Sequence, residues 1–412
     1  MLLTASVFLT VMCLGWVCWL GRFGFDFTDE SFYLIWISNP FEYSTSVTQF
    51  GFVYHLLFKL VGEDIVALRQ ANILISWSLS LAVCSSFLSV AFPRPPMERV
   101  DRLVISAALA TAVLSSVVFS DYWLATPSYN TLTMQALLVA AWGVLLVNQP
   151  AARTIRFGWI LIGVGGGLAF LAKPPAAVAL AVFAGIYLYA VGRLSIKLLL
   201  MALSIAGGLL LVFGLLVDGS VAGFIHRLVG GPETASIVGG GRSAPSLLRI
   251  DFFRPEGKFV GLLIFATTLF FAAGFFARTQ SRRMASVGRA LSICFALMTF
   301  VIVADFFPGV QGYGPFPGLL LCSVPLSAAV LLVACRGWDG WRQLSRPEWA
   351  LFIFFLSLPY AYSTGTTNNQ WTLMPQVAVF WLLAGLVLLR PLMTGAGAAV
   401  MVLPLEIGRA HV

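Results

Sequence analysis

Two adjacent carboxylates, Asp29 and Glu30, follow the first apolar run of the chain, and Tyr33 comes one helical turn later. Side chains three and four positions apart lie on neighbouring faces of a helix, so a helix would bring Tyr33 beside both acids. Paired carboxylates at a membrane surface can supply a general base together with a second polar contact. The pattern therefore predicts a candidate site for proton transfer.

The same acids have a simpler explanation as the start of a helix. Carboxylates in a first turn complement the helix dipole and contribute about 0.3–1 kcal/mol, with Thr28 or Asp26 as the cap. A cap has no need of an arginine, however, and Arg69 stands within the first two turns of the next apolar run. Because an unpaired charge in a membrane helix is costly, we expect Arg69 to point back toward the acids.

A later polar turn offers further candidates for the same site. It contains Asp121, which we expect to face Asp29 as a second acid, and Tyr129 and Asn130 as polar contacts. The alternative is an ordinary aromatic turn at the membrane surface that Pro127 ends.

Lys173 lies among apolar residues and is followed by two prolines. An ammonium in this place suits the phosphate of a lipid carrier, because it would stabilise the negative charge that develops on the leaving oxygen. The alternative is a lysine whose head group simply reaches the membrane surface.

The largest segment between apolar runs, residues 218–258, is predicted to be a loop. It carries His226, Arg227 and Arg242 together with a run of glycines. Basic residues with mobile glycines could close over an anionic lipid head group, and a solvated loop is the alternative.

Several kinds of chemistry are not indicated. The six cysteines lie in apolar runs without CxxC spacing, so neither a thiolate metal site nor a redox pair is predicted. His55 and His226 are the only histidines before the last seven residues, which are too few for a multi-histidine metal site. No cofactor is predicted with certainty, although a divalent cation stays open as an alternative.

Composition determines the elements that must position these residues. The chain has 412 residues, of which 59% are hydrophobic and 10% charged, against about 25% charged residues in a soluble domain. This excludes a soluble enzyme, a secreted disulfide scaffold and a nucleic-acid binder. A helix of about 20 apolar residues crosses a bilayer, and no period-two alternation suggests a barrel. We predict an all-α polytopic membrane protein with about thirteen transmembrane helices, near residues 2–20, 65–92, 103–119, 132–147, 159–172, 176–191, 198–217, 259–276, 290–304, 318–335, 349–360, 374–389 and 391–405.

Charge distribution predicts the orientation. If the connections are numbered alternately, 15 of the 25 lysines and arginines fall on one side, which should be cytoplasmic. Twelve acids fall on the other side against four with the basic residues, so polar chemistry is expected on the exoplasmic face. The first exoplasmic loop, 22–64, is expected to contain two interfacial helices, the second around 50–61 with Gly62 as its C-cap.

The motif Asp29-Glu30-x-x-Tyr33 after a first helix, followed by the stretch Phe50–Asn72 that leads into the second, resembles the GT-C glycosyltransferases. The likeness covers about residues 1–175 and is closest to the branch with the protein O-mannosyltransferases and the lipid A aminoarabinose transferase. It implies sugar transfer from a polyprenyl-phosphate carrier to an exoplasmic acceptor, with Asp29 as the base or acceptor-positioning carboxylate and Glu30 beside it. The chain lacks the Lys-Pro pair of the aminoarabinose transferases within 46–54.

We therefore predict one GT-C-like domain over residues 1–405 that transfers sugar to a lipid, glycan or protein acceptor with inversion, in what we expect to be a bacterial plasma membrane. A secondary transporter or lipid flippase, and an O-antigen ligase or polymerase, are the alternatives. The tail 406–412 resembles a translated sequencing adapter, and we expect it to be an artefact.

Overall fold

The computed structural model of the protein describes residues 2–24, 29–42, 44–91, 105–107, 109–111, 125–237, 257–277, 281, 283–288, 290–291, 316–365 and 374–392. Over these ranges the chain is helical and contains no strand. The helices are α1 (Leu2–Leu20), α2 (Asp29–Ser38), α3 (Phe50–Leu60), α4 (Ile65–Ala91), α5 (Tyr129–Val147), α6 (Ala152–Ala172), α7 (Pro174–Ala190), α8 (Ile196–Asp218), α9 (Val221–Ile237), α10 (Gly257–Ala277), α11 (Phe316–Arg336), α12 (Asp339–Arg342), α13 (Arg346–Ser363) and α14 (Ala378–Leu389).

Four of the described helices, α4, α5, α6 and α8, are long and apolar enough to cross a membrane, and several shorter apolar helices accompany them. The all-helical architecture with candidate membrane spans is confirmed. The total of about thirteen spans stays a prediction, because most of 103–119, 290–304 and 391–405 lies outside the described residues. Elsewhere each predicted span coincides with an observed helix to within a few residues, with two exceptions. The helix at 159–172 begins earlier, at Ala152, and the helix at 374–389 begins later, at Ala378.

The centre of the bundle depends on a close approach of α5 and α6. A Cβ atom added to Gly143 would lie 2.5 Å from the carbonyl oxygen of Gly158, and one added to Gly158 would lie 2.6 Å from the carbonyl oxygen of Gly143. Only glycine permits two helix backbones to come this close. Trp159 on α6 and Leu137 on α5 are completely buried in the surrounding apolar core.

The two ends of the bundle differ in character. Helices α2 and α3 contact one end, which we call the loop end, together with the α6–α7 turn at Lys173 and the C-terminus of α13. The other end contains basic residues of the connections that the sequence assigned to the cytoplasm, among them Arg390, which pairs with Glu348. Which end of the bundle faces the cytoplasm stays a prediction.

The segment 218–258, predicted as a large exoplasmic loop, begins with a helix, because its first part forms α9, which contains Arg227. Helix α8 ends at Asp218, and Gly219 follows in the left-handed conformation with φ of 66°, which lets the chain turn directly into the next helix. On α9 Val221, Ile225 and Val229 are exposed, whereas Phe224 and Arg227 are buried, so the helix packs through one face.

Candidate active site

The first loop folds into the two helices that its sequence predicts. Helix α2 starts at Asp29, and α3 ends at Leu60 with Gly62 just beyond it at φ of 75°. The two helices pack through aromatic rings, with Trp36 stacked on Phe50 at 5.7 Å between centroids and an angle of 2° between planes. The loop is therefore a compact cover on the bundle.

A buried ion pair attaches this cover to α4. Arg69 Nη2 lies 2.6 Å from Glu30 Oε1, and Arg69 Nε donates to the same oxygen and to Thr126 Oγ1, each at 3.0 Å. The Thr126 hydroxyl also contacts the Glu30 carboxylate, and the carbonyls of Gly21 and Gly24 accept from the guanidinium. Arg69 points back toward the acids as expected, but its partner is Glu30, whose carboxylate is engaged in this pair and is 3% exposed.

Asp29 differs from its neighbour in being exposed. The Tyr33 hydroxyl lies 3.5 Å from Asp29 Oδ2, a long hydrogen bond. Burial raises the pKa of Tyr33 above its ordinary value, and the neighbouring Tyr129 and the Asp29 carboxylate raise it further. Tyr33 therefore stays a neutral donor, and Asp29 is the exposed carboxylate of the acidic pair.

An aromatic cluster continues from Tyr33 into the bundle. The Tyr33 ring lies 5.5 Å from Phe50 and 5.9 Å from Tyr129, both edge to face. Tyr129 is the first residue of α5, whose N-cap is Ser128, and the Ser128 hydroxyl accepts from the backbone N–H of Thr131 at 3.3 Å.

Lys173 lies on the far side of this cluster. Its ammonium is 5.3 Å from the Tyr129 ring centroid and 4.8 Å from that of Tyr362, and Nζ donates to the Tyr362 carbonyl at 3.1 Å. Lys173 is extended and joins α6 to α7, which begins with Pro174 at N1. The position is 4% exposed, so the cationic head is held in an aromatic, low-dielectric environment.

The connection between α2 and α3 ties the cover to two further elements. The backbone N–H of Gln49 donates to the Leu171 carbonyl at 2.6 Å, beside the Lys173 turn, and that of Ser46 donates to the Arg227 carbonyl at 3.2 Å. Gln49 is 1% exposed, and among the described residues its Oε1 has no hydrogen-bond partner.

The remaining predicted residues lie outside the contact path from Asp29 to Lys173 or outside the described residues. Arg227 pairs with the partly buried Asp218, with Nη2 to Oδ1 at 2.8 Å, and lies over the Phe52 ring at 5.4 Å. His226 is exposed on α9. Asn130 is half-buried, and its Oδ1 finds no partner within the described part of the chain. Asp121 and Arg242 lie outside the described residues.

The structure also reveals polar residues that the sequence analysis did not select. Tyr54, Asn72, Ser76 and Gln135 form one buried network between α3, α4 and α5. The sequence does contain a signal for this network. Gln135 is an amide inside an apolar span, and such a residue usually has a specific hydrogen-bond partner.

Comparison with known proteins gives no relative: no family model, no curated protein and no solved structure matches the chain. Within the described residues, no three His, Cys, Asp or Glu side chains are grouped so as to hold a metal ion. The site presents an exposed carboxylate, a buried ammonium and several phenols.

Proposed function

We propose that the protein is an integral-membrane glycosyltransferase that moves a sugar from a polyprenyl-phosphate carrier to a hydroxyl of a lipid, glycan or protein acceptor. The observation that carries the proposal is the continuous contact path from Asp29 through Tyr33 and Tyr129 to Lys173. It joins an exposed carboxylate to a buried ammonium at one end of an apolar helical bundle. A lipid-linked phosphate needs a cation, and an acceptor hydroxyl needs a base. Both groups are needed at the membrane surface, because the lipid and the acceptor meet there.

In the proposed reaction, the acceptor oxygen attacks the anomeric carbon while the bond from that carbon to the phosphate oxygen breaks. Asp29 takes the proton of the attacking hydroxyl, and the electron pair of the broken bond leaves with the polyprenyl phosphate. One displacement inverts the anomeric carbon. Phosphate is already a good leaving group, so a second carboxylate is not required, which agrees with the engagement of Glu30 by Arg69.

Lys173 stabilises the departing phosphate. A cation fixed in advance among aromatic rings acts more strongly on developing negative charge than the same cation in water, because little reorganisation is needed. Tyr129 and Tyr362 hold the ammonium from two sides, and the fixed turn between α6 and α7 restricts its position.

The proposed location follows from the charges. The loop end faces the exoplasm, and the basic residues of the opposite end face the cytoplasm of a bacterial cell. A polyprenyl carrier would then bring its phosphate to the α6–α7 turn that holds Lys173, and the acceptor would approach Asp29 from the aqueous side.

The test uses purified protein in liposomes with a panel of polyprenyl-phosphate sugars, and mass spectrometry detects the polyprenyl phosphate released in the presence of acceptor. Asp29→Asn removes only the negative charge, and we expect it to lower turnover by about 10²–10⁴-fold. Glu42→Gln, an exposed acid of the same loop, is the matched control and should retain turnover. Full turnover by Asp29→Asn would reject Asp29 as the base, and no release from any donor by the wild-type protein would reject the function.

A further inference from the structure

A side-chain amide in the interior of the bundle makes a hydrogen bond to the first loop. Gln135, on α5, accepts a hydrogen bond at 2.9 Å from the Tyr54 hydroxyl of the loop helix α3. Its Nε2 donates to Asn72 Oδ1 and to Ser76 Oγ on α4, each at 2.9 Å. Tyr54 is 3% exposed, Asn72 2% and Gln135 6%, so these bonds are made out of contact with water.

The network also extends to the other loop helix. Asn72 Nδ2 donates to the carbonyl of Ala125 at 3.0 Å, and the next residue, Thr126, contacts the Glu30 carboxylate and accepts from Arg69. An unbroken series of hydrogen bonds and one peptide unit therefore connects Tyr54 on α3 to Glu30 on α2. Gln135 lies within that series.

The amide group of Gln135 can make all of these hydrogen bonds at once. Both N–H bonds of Gln135 are donated and its oxygen accepts, so one rotamer satisfies all three contacts. Losing them would leave buried polar groups without partners, so the arrangement resists small shifts of α3 against α4 and α5. A leucine would fill similar space but would not specify such an alignment.

Helix α5 also begins with Tyr129, whose ring contacts both Tyr33 and Lys173. The helix that holds Gln135 thus forms one wall of the candidate site, and through Gln135 it is hydrogen-bonded to the loop that carries Asp29. A displacement of about 1 Å in such a site can lower turnover about 10²-fold.

We propose that Gln135 is a positioning residue: it aligns both helices of the first loop and so places Asp29 relative to Tyr129 and Lys173 for transfer. This inference rests on the proposed function, since the consequence of the alignment is a catalytic rate. Gln135 itself does not touch the reacting atoms.

The test compares Gln135→Leu with Asn148→Leu. Asn148 is the C-cap amide at the other end of α5, where its Nδ2 donates to the Val144 carbonyl at 2.9 Å and to the Tyr187 hydroxyl at 2.8 Å. We expect Gln135→Leu to lower kcat about 10–100-fold while KM for the donor changes by less than about twofold. Asn148→Leu should leave the ratio of kcat to KM near that of the wild-type protein.

Hydrogen exchange gives a readout that does not depend on activity. In Gln135→Leu, amides of α2 and α3 should exchange faster while those of α6 and α7 keep their wild-type protection. Uniform loss of protection would assign Gln135 a general structural role and overturn the proposal, as would unchanged exchange in α2 and α3 or a retained kcat.

Tyr54→Phe keeps the test decisive if Gln135→Leu does not fold. It removes one hydroxyl and should loosen α3 selectively, with a smaller fall in kcat, and wild-type exchange and turnover in this variant would overturn the inference. A wild-type protein that transfers no sugar would instead reject the proposed function, and the exchange comparison would still decide whether Gln135 aligns the loop.

Discussion

Arg69 and Glu30, 39 positions apart in the chain, form a buried ion pair that fastens the first loop to helix α4. The guanidinium donates hydrogen bonds to the carboxylate, to the Thr126 hydroxyl and to two backbone carbonyls just after α1. It therefore links α2 and the end of α1 to α4. The two adjacent acids therefore differ: Glu30 binds the loop to α4, and Asp29 is exposed.

The first prediction concerns this pair. Arg69→Met should destabilise the protein by about 3–5 kcal/mol, because it leaves the Glu30 carboxylate buried without its cation. The double variant Arg69→Met with Glu30→Leu should recover much of the loss. Chemical unfolding in detergent measures both, and Arg342→Met, whose partner Asp339 is on the surface, is the control. Equal losses in the single and double variants would contradict the role of the buried charge.

The second prediction concerns Lys173. Lys173→Met should lower turnover with a polyprenyl-phosphate donor by about 10²–10³-fold, because it removes a fixed positive charge from the leaving phosphate. Lys173→Arg should have a turnover close to that of Lys173→Met. A planar guanidinium does not fit where a compact ammonium contacts two rings. The control is Lys59→Met, an exposed lysine paired with Glu63. Similar rates for the variants of Lys173 and Lys59 would argue against phosphate binding at this turn.

The third prediction concerns pH. Burial raises the pKa of Tyr33, so the folded state holds the phenolic proton more tightly than the unfolded state does. The contribution of Tyr33 to the free energy of unfolding is complete below about pH 10, the ordinary tyrosine pKa. It is lost as the pH rises further, toward the raised pKa of the folded state. The unfolding temperature should fall above about pH 10, and Tyr33→Phe should show a smaller fall. An equal fall in both proteins would show that Tyr33 is not buried as described.

The fourth prediction concerns the contact between α5 and α6. Gly158→Ala should destabilise the bundle or prevent its assembly, because the new methyl group would meet the backbone of α5 at Gly143. Gly166→Ala, on the same helix, is the matched control, since a Cβ atom there has no described neighbour within 4 Å. Thermal unfolding and the yield of folded protein distinguish the two, and comparable behaviour would contradict the close approach.

The fifth prediction concerns helix α9 and the first loop. An added Cβ atom at Gly230 would lie 3.4 Å from Thr45 Cβ, close to the spacing in a disulfide. The variant Thr45→Cys/Gly230→Cys should therefore form a bond on mild oxidation, which proteolysis between the two positions followed by non-reducing electrophoresis detects. Each single cysteine variant is a control for the native cysteines. Failure of the double variant to cross-link would mean that α9 does not pack on the loop.

Much of the architecture could be predicted because the signals are local. The apolar run 65–92 becomes Ile65–Ala91, and the amphipathic stretch before it becomes α3 with Gly62 beyond its end. The position of Lys173 at a turn followed from its prolines. Each of these depends on neighbours within a few residues along the chain.

The partners of the charged residues could not be predicted in the same way. Arg69 had two adjacent acids within reach and pairs with Glu30, because α2 is rotated so that this side chain faces inward. Arg227 pairs with Asp218 because α9 turns back directly after α8, in a segment whose composition favours a loop. Such choices depend on helix rotation and on chain reversals.

By itself the sequence determined an all-helical chain with apolar helices of membrane-spanning length, and it placed the acids, Arg69 and Lys173 at helix ends, since run length and helix-terminus signals are read from adjacent residues. Only the tertiary structure decided that Glu30 is engaged while Asp29 is exposed, and that Gln135 connects to both helices of the first loop. The physical reason is that a hydrogen bond or ion pair between distant residues requires two backbones at a particular rotation and separation. The packing of α4, α5 and the loop together produces that arrangement.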